Sequence, residues 1–130
     1  MVADLFHYGH VNFLRQASQQ GDFLLVGIHS DEAVMSYKRT PILSMAERVA
    51  SVEGCRYVDK VVPNAPLEIT REWISQNKID LIIHGDDVSL EVRDVWYGVP
   101  IQMGIYRSVG YTEGISTTEL ISRIKSAETE

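Results

Sequence analysis

Two short stretches at opposite ends of this 130-residue chain hold residue types suited to chemistry on phosphates. Near the start, His7-Tyr8-Gly9-His10 sets two imidazoles around a glycine. Gly9 has no side chain, so a phosphate or a base can approach the backbone closely. With His10 opening a helix, the helix dipole and its free N–H groups add a positive end. Near the other terminus, Ile115-Ser-Thr-Thr-Glu-Leu-Ile121 opens a helix with small hydroxyl residues. Ser116, Thr117 and Thr118 there offer hydroxyl and backbone donors for β- and γ-phosphates. A triphosphate gripped from both sides presents its α-phosphorus to in-line attack. Donors fixed at that point stabilise the growing oxygen charge more in the transition state than in the ground state. The chemistry implied is nucleotidyl transfer. Each motif alone has a plainer reading: two surface histidines at a helix start, and an ordinary Ser116/Glu119 capping box.

Other polar residues are open to both kinds of reading. Lys38, beside Arg39 and Pro41, is a loop lysine that could close over the α-phosphate or stand in solvent. Arg48 could reach the same phosphates or pair with Glu47 or another acid. His84-Gly85-Asp86-Asp87 ends an apolar run and could read a base or bind a metal-bridged phosphate; paired aspartates are also common turn residues. The two N-terminal histidines resemble a metal-ligand pair, but one cysteine, Cys55, is too few soft ligands for a structural zinc site. Neither a Gly-x-Ser-x-Gly elbow nor a Gly-x-x-x-x-Gly-Lys loop is present.

The elements that must position these groups follow from apolar patterning. Phe23–Ile28, Lys60–Val62, Leu81–Ile83 and Ile101–Tyr106 read as strands, the last preceded by Pro100. Helical spacing fills the gaps: Val11, Leu14, Arg15 and Ser18 on a first helix, a capping box at Ser44-Met-Ala-Glu47 starting a helix to about Glu53, a helix over Glu68–Gln76, and a last helix with Leu120, Ile121 and Ile124 as its stripe. Alternation of this kind predicts an α/β fold, a doubly wound parallel sheet with ligands at the carboxyl ends of its strands. Only Met1–Phe6 precede His7, so the chain is expected to begin inside its first strand, truncated or very short.

The chain is long enough for one domain with a real core, residues 1–130 together, and 45% hydrophobic with 23% charged residues is ordinary globular composition. A net charge of −6 argues against nucleic acid or an anionic membrane surface as partner. The lone cysteine fits a reducing compartment, and no apolar run approaches membrane-spanning length, so a soluble cytoplasmic protein without membrane insertion is expected.

Taken in order, Asp4-Leu-Phe-His-Tyr-Gly-His10, Gly21–Glu32, Tyr37-Lys38, Glu47-Arg48, Cys55-Arg-Tyr-Val-Asp59, Val61–Pro66, His84–Asp87 and Thr112–Thr118 resemble the cytidylyltransferases that activate phosphoethanolamine, phosphocholine or glycerol 3-phosphate. The match is collinear over almost the whole chain. It implies a Rossmann-like nucleotidyltransferase fold and transfer of CMP from CTP to a small phosphorylated alcohol, most of all phosphoethanolamine, with release of pyrophosphate. By resemblance, His7, His10 and Lys38 would be catalytic, Lys38 also bridging to the acceptor phosphate, with Asp4 an acceptor-side candidate along with Glu68, Trp96 and Tyr97. Val2, Ala3, Gly9, Arg48, His84, Gly85, Asp86, Asp87, Tyr111, Thr112, Gly114, Ile115, Ser116, Thr117 and Thr118 would border the nucleotide. Mg²⁺ would accompany CTP, no protein metal site is expected, and Arg56–Asp59 would lie near a homodimer interface.

Three departures stand out. Tyr111 replaces a common arginine, which leaves open an ATP-using adenylyltransferase or a non-catalytic nucleotide-binding module. Met1-Val-Ala-Asp4 replaces Gly-x-Phe-Asp. Leu67 replaces the tryptophan that a quaternary ammonium would favour.

Overall fold

The computed structural model of the chain describes residues 1–86 and 88–127. Helices and strands alternate along it, and each strand pairs in parallel. The fold divides into two compact units, Met1–Ala65 with the segment from Thr112 onward, and Pro66–Tyr111.

In the first unit, helix α1 (Tyr8–Ser18) leads to strand β1 (Leu25–Ile28), helices α2 (Asp31–Met35) and α3 (Met45–Glu53), and strand β2 (Lys60–Pro63). β1 and β2 run side by side with Val26 opposite Val61. Parallel neighbours need a crossover, and α2 and α3 supply it, α3 packing on both strands. Ser44 caps α3 as its sequence predicts: its hydroxyl accepts the Glu47 N–H (3.2 Å) and the Glu47 carboxylate accepts the Ser44 N–H (2.9 Å). The core gathers Ala3, Leu14, Val26, Ile28 and Val52. On α1 the buried positions are Leu14 and Ala17, so the inward stripe is displaced from the expected Arg15 and Ser18 side.

Among the described residues no strand precedes α1, and Met1 makes a single backbone bridge beside β1. The Met1 amino group donates to the Gly27 carbonyl (2.6 Å), and the His29 N–H donates to the Met1 carbonyl (3.0 Å). These two bonds make one rung of a parallel ladder against β1.

The second unit contains α4 (Arg71–Gln76), β3 (Ile82–Gly85), α5 (Leu90–Trp96), α6 (Gly98–Gln102) and β4 (Tyr106–Val109). β3 pairs with β4, Ile82 opposite Tyr106. Ile69, Ile74 and Tyr97 form its core with Trp73, Trp96 and Tyr106 against them. The predicted strand at Ile101–Tyr106 is corrected here. Ile101 lies in α6, and β4 starts at Tyr106. Pro100 did not exclude a helix because it sits in the first turn, where a missing N–H costs no intrahelical bond. Gly104, at φ 75°, then ends the helix. Its N–H donates to the Ile101 carbonyl and the Ile105 N–H to the Pro100 carbonyl, each at 3.0 Å. The helix predicted from Glu68 begins at Arg71, capped by Thr70, whose hydroxyl accepts the Trp73 N–H (3.1 Å).

Returning to the first unit, α7 (Thr117–Ala127) closes the described chain. Leu120 and Ile121 are half-buried on it and Ile124 is exposed.

Candidate active site

His7 is the N-cap of α1, with its backbone extended and its imidazole folded back over the helix start. Its Nδ1 accepts the Gly9 N–H (3.0 Å), and the Nδ1 of His10 accepts the His7 N–H (3.1 Å). A ring nitrogen that accepts a hydrogen bond carries no proton, so in each neutral ring the single N–H is at Nε2. The two rings lie 3.9 Å apart between centroids, tilted by 37°, and Phe6 stacks on His10 at 5.4 Å. Burial, then the neighbouring charge of His7, pushes the His10 pKa down to about 3. Burial also lowers that of His7. Near neutral pH the pair is therefore uncharged, and each ring offers one donor.

Gly9 allows this arrangement through space, since its φ is not among the positive ones. A Cβ there would stand 2.9 Å from His7 Cε1 and 3.1 Å from its Nδ1. It would also meet Ile115 Cγ2 at 3.4 Å, so the histidine turn and the approach to α7 are in contact. Polar bonds join the same two segments. Thr117 Oγ1 donates to the Asp4 carbonyl (2.8 Å), and Asn12 Nδ2 donates to Thr112 Oγ1 (2.7 Å). The Ser116 hydroxyl caps α7 by accepting the Glu119 N–H (3.0 Å). Before it, Gly114 turns at φ 83° and its carbonyl accepts from Arg123 (3.0 Å). The first-turn N–H groups of Thr117 and Thr118 have no acceptor within the helix, as at any helix start. Thr118 is exposed.

Lys38 follows α2, its backbone N–H donating to the Val34 carbonyl (3.0 Å) and its ammonium 5.5 Å from the centre of the Tyr37 ring. It is exposed, yet near enough to His10 that its charge lowers the ring's pKa, while Asp4 acts in the opposite sense. Val2 and Ala3 lie just before this turn, Ala3 buried with φ at 58°.

In the second unit, His84 and Gly85 end β3. The His84 ring lies 5.1 Å from that of Tyr97, and its Nδ1 is 3.1 Å from the Gly85 carbonyl oxygen. Asp86 Oδ1 accepts the N–H of Tyr111 (2.9 Å), whose side chain is exposed. Asp87 lies outside the described residues.

A family model described as cytidylyltransferase-like matches residues 2–123. The chain belongs to the cytidylyltransferase-like family. Among its relatives, an ethanolamine-phosphate cytidylyltransferase of Dictyostelium discoideum is 44% identical over 126 residues, covering 93% of this chain and 35% of that protein. One of Arabidopsis thaliana is 45% identical over 128 residues, covering 93% and 30%. Choline-phosphate cytidylyltransferase A of Homo sapiens is 38% identical over 128 residues, covering 95% and 34%. The chain thus spans about a third of the length of these relatives. A solved structure, the lipopolysaccharide core biosynthesis protein from Thermoplasma volcanium, superposes with a TM-score of 0.69 at 22% identity, covering 86% of this chain and 91% of that one. This likeness agrees with the parallel α/β architecture, a Rossmann-like fold.

Two of the expected site residues make their contacts within the protein. Arg48 is fully buried. Its guanidinium donates to the Val2 and His29 carbonyls (both 2.9 Å) and pairs with Asp31 (2.6 Å). It fastens the first residues to the end of β1 and is not presented to a ligand. Asp4 is also buried, and its oxygens accept the N–H groups of Ile42 (2.8 Å) and Leu43 (2.9 Å). Its carboxylate faces a loop of the protein. Sequence reasoning overlooked Asn12 and Phe6. Asn12, two residues after His10, carried a signal in being an amide within the first turns of the helix that bears the site.

Proposed function

We propose that this chain transfers CMP from CTP to a small phosphorylated alcohol, phosphoethanolamine foremost, releasing pyrophosphate. The observation that carries the reading is the convergence of two Nε2–H imidazoles and the tip of α7 within one unit. The choice of acceptor is supported by the higher identity to ethanolamine-phosphate than to choline-phosphate cytidylyltransferases, 44% against 38%.

A phosphate oxygen of the acceptor attacks the α-phosphorus of CTP as the bond to the pyrophosphate oxygen breaks. The attacking oxygen is already anionic, so no general base is required. This suits imidazoles held neutral. His7 and His10 donate Nε2–H to phosphate oxygens as charge shifts toward the leaving group. Lys38 places its ammonium between the nucleotide phosphates and that of the acceptor. Gly114, Ile115, Ser116, Thr117 and Thr118 wrap the distal phosphates with backbone and hydroxyl donors. These groups are donors, complementary to phosphate rather than to a cation, so Mg²⁺ is read as arriving on the triphosphate, where it offsets negative charge. The roles of His84, Gly85, Asp86, Asp87 and Tyr111 toward the nucleotide rest on resemblance alone.

The protein is further read as a cytoplasmic homodimer. The Arg56–Asp59 segment is assigned to the subunit interface by resemblance. Among the described residues no helix is long and apolar enough to cross a membrane.

Incubation with CTP, Mg²⁺ and phosphoethanolamine, phosphocholine or glycerol 3-phosphate tests the reading by pyrophosphate release. Release is expected and should be fastest with phosphoethanolamine. A parallel series with ATP addresses the neutral side chain at Tyr111. Absence of release with every acceptor refutes the proposal.

A further inference from the structure

The stretch that carries Lys38 runs from the end of α2 at Met35 to the start of α3 at Met45. Near its far end, Ile42 and Leu43 each donate a backbone hydrogen bond across more than thirty residues, and both bonds end on Asp4 (2.8 and 2.9 Å). One carboxylate oxygen serves each amide. The fit is specific to a carboxylate, because an asparagine in the same pose would turn its NH₂ toward one of two N–H donors. The same residue's carbonyl accepts the Thr117 hydroxyl at the start of α7 (2.8 Å). Asp4 therefore touches both segments that must face the histidine turn, and it lies three residues before His7.

The backbone bends sharply to achieve this. Ala3 and Leu5, on either side of Asp4, both lie in the left-handed region, at φ 58° and 48°. That conformation is unfavourable for residues with a Cβ and persists only where surrounding contacts impose it. Here it turns the Asp4 side chain toward the loop while its carbonyl meets Thr117.

We infer that Asp4 is a positioning residue, whose carboxylate holds the Lys38 loop beside His7 and His10 and so sets where the Lys38 ammonium meets the phosphates. This deepens the function proposed above and rests on it. Asp4 acts through Lys38 and does not touch substrate.

The test combines a double-variant cycle with amide exchange in the whole chain. Asp4→Asn should lower kcat for CMP transfer on the order of 100-fold, the scale of a misplaced catalytic group. In a Lys38→Ala background the same change should cost less than about 3-fold, since groups acting as a unit are not additive. Exchange at Ile42 and Leu43 should accelerate while Val26 and Ile28 in β1 keep their protection. Ile42→Pro removes one donor amide and leaves Asp4 intact; it should reproduce the loss and its dependence on Lys38.

Equal losses in both backgrounds overturn the inference. So does a raised KM for phosphoethanolamine at unchanged kcat, which makes Asp4 an acceptor contact. Accelerated exchange throughout β1 in Asp4→Asn, with full turnover in Ile42→Pro, reduces Asp4 to a general fold residue and also overturns it. Exchange needs no turnover. An unsubstituted chain that transfers no CMP refutes the function, whereas unchanged exchange at Ile42 and Leu43 in Asp4→Asn refutes the positioning role by itself.

Discussion

Replacing Gly9 by alanine should separate activity from stability. The new Cβ would stand 2.9 Å from His7 Cε1 and 3.1 Å from Nδ1, too close to tolerate without movement. The His7 ring is the group able to move, since Gly9 is fixed within α1. In moving, it loses the hydrogen bond from the Gly9 N–H, worth about 1 kcal/mol. Alanine in a helix returns about 0.8–1 kcal/mol relative to glycine. The two terms nearly cancel, so net stability should change by less than about 1 kcal/mol, or roughly 5 °C in Tm. Turnover has no such compensation. His7 loses both its placement and the bond that fixes its proton on Nε2, and kcat should fall on the order of 100-fold. Thermal melts and steady-state pyrophosphate release measure the two quantities, and ¹⁵N shifts of the imidazole report the tautomer. A Gly9→Ala protein with full turnover would refute the claim that this ring must be held where it is.

Acid should destabilise the fold through His10. Its folded pKa, about 3, lies below the ordinary value of 6.5, so the unfolded chain takes up a proton first. The stability it contributes is intact above pH 6.5 and is lost as pH falls toward 3, at up to about 1.4 kcal/mol per pH unit; urea midpoints at pH 7, 6 and 5 should drop more for the parent chain than for His10→Gln. Arg48→Met should cost about 3–5 kcal/mol by leaving the Val2 and His29 carbonyls and Asp31 without their donor, and Arg48→Lys should recover little because an ammonium cannot reproduce the fork; denaturant midpoints check both. Lys78 ends α4 at φ 53°, a conformation glycine adopts without strain, so Lys78→Gly should raise stability by up to about 1 kcal/mol in the same assay.

The readable parts of the fold were those written in local patterns. The Ser44/Glu47 capping box formed as predicted because both partners lie within one turn. The strand misplaced at Ile101–Tyr106 shows the opposite case. An apolar run after a proline suits a strand or a buried helix end equally, and only the pair of bonds around Gly104 decides. Within the site, residue types announced which groups matter but not how they are spent. By residue type Arg48 and Asp4 are both candidate ligand contacts; the structure joins one to the carbonyls of Val2 and His29 and the other to the N–H groups of Ile42 and Leu43, backbone partners that residue identity does not reveal. Asn12 reaches Thr112 across one hundred residues, beyond any local pattern.

The tautomers of His7 and His10 bear on how a chain of net charge −6 can handle a triphosphate. A cluster of cations at this turn would be costly, since buried like charges repel and lose hydration. Two backbone amides instead occupy the Nδ1 atoms, which leaves an N–H at Nε2 of each ring without a formal charge. Such donors cost less to desolvate than buried charges, yet they strengthen as negative charge concentrates on the oxygens opposite them. The exposed Lys38 can then supply positive charge from a loop that remains hydrated. On this division, the buried part of the site provides geometry and the solvated part provides charge, so the burial that depresses the histidine pKa values helps the proposed chemistry instead of opposing it.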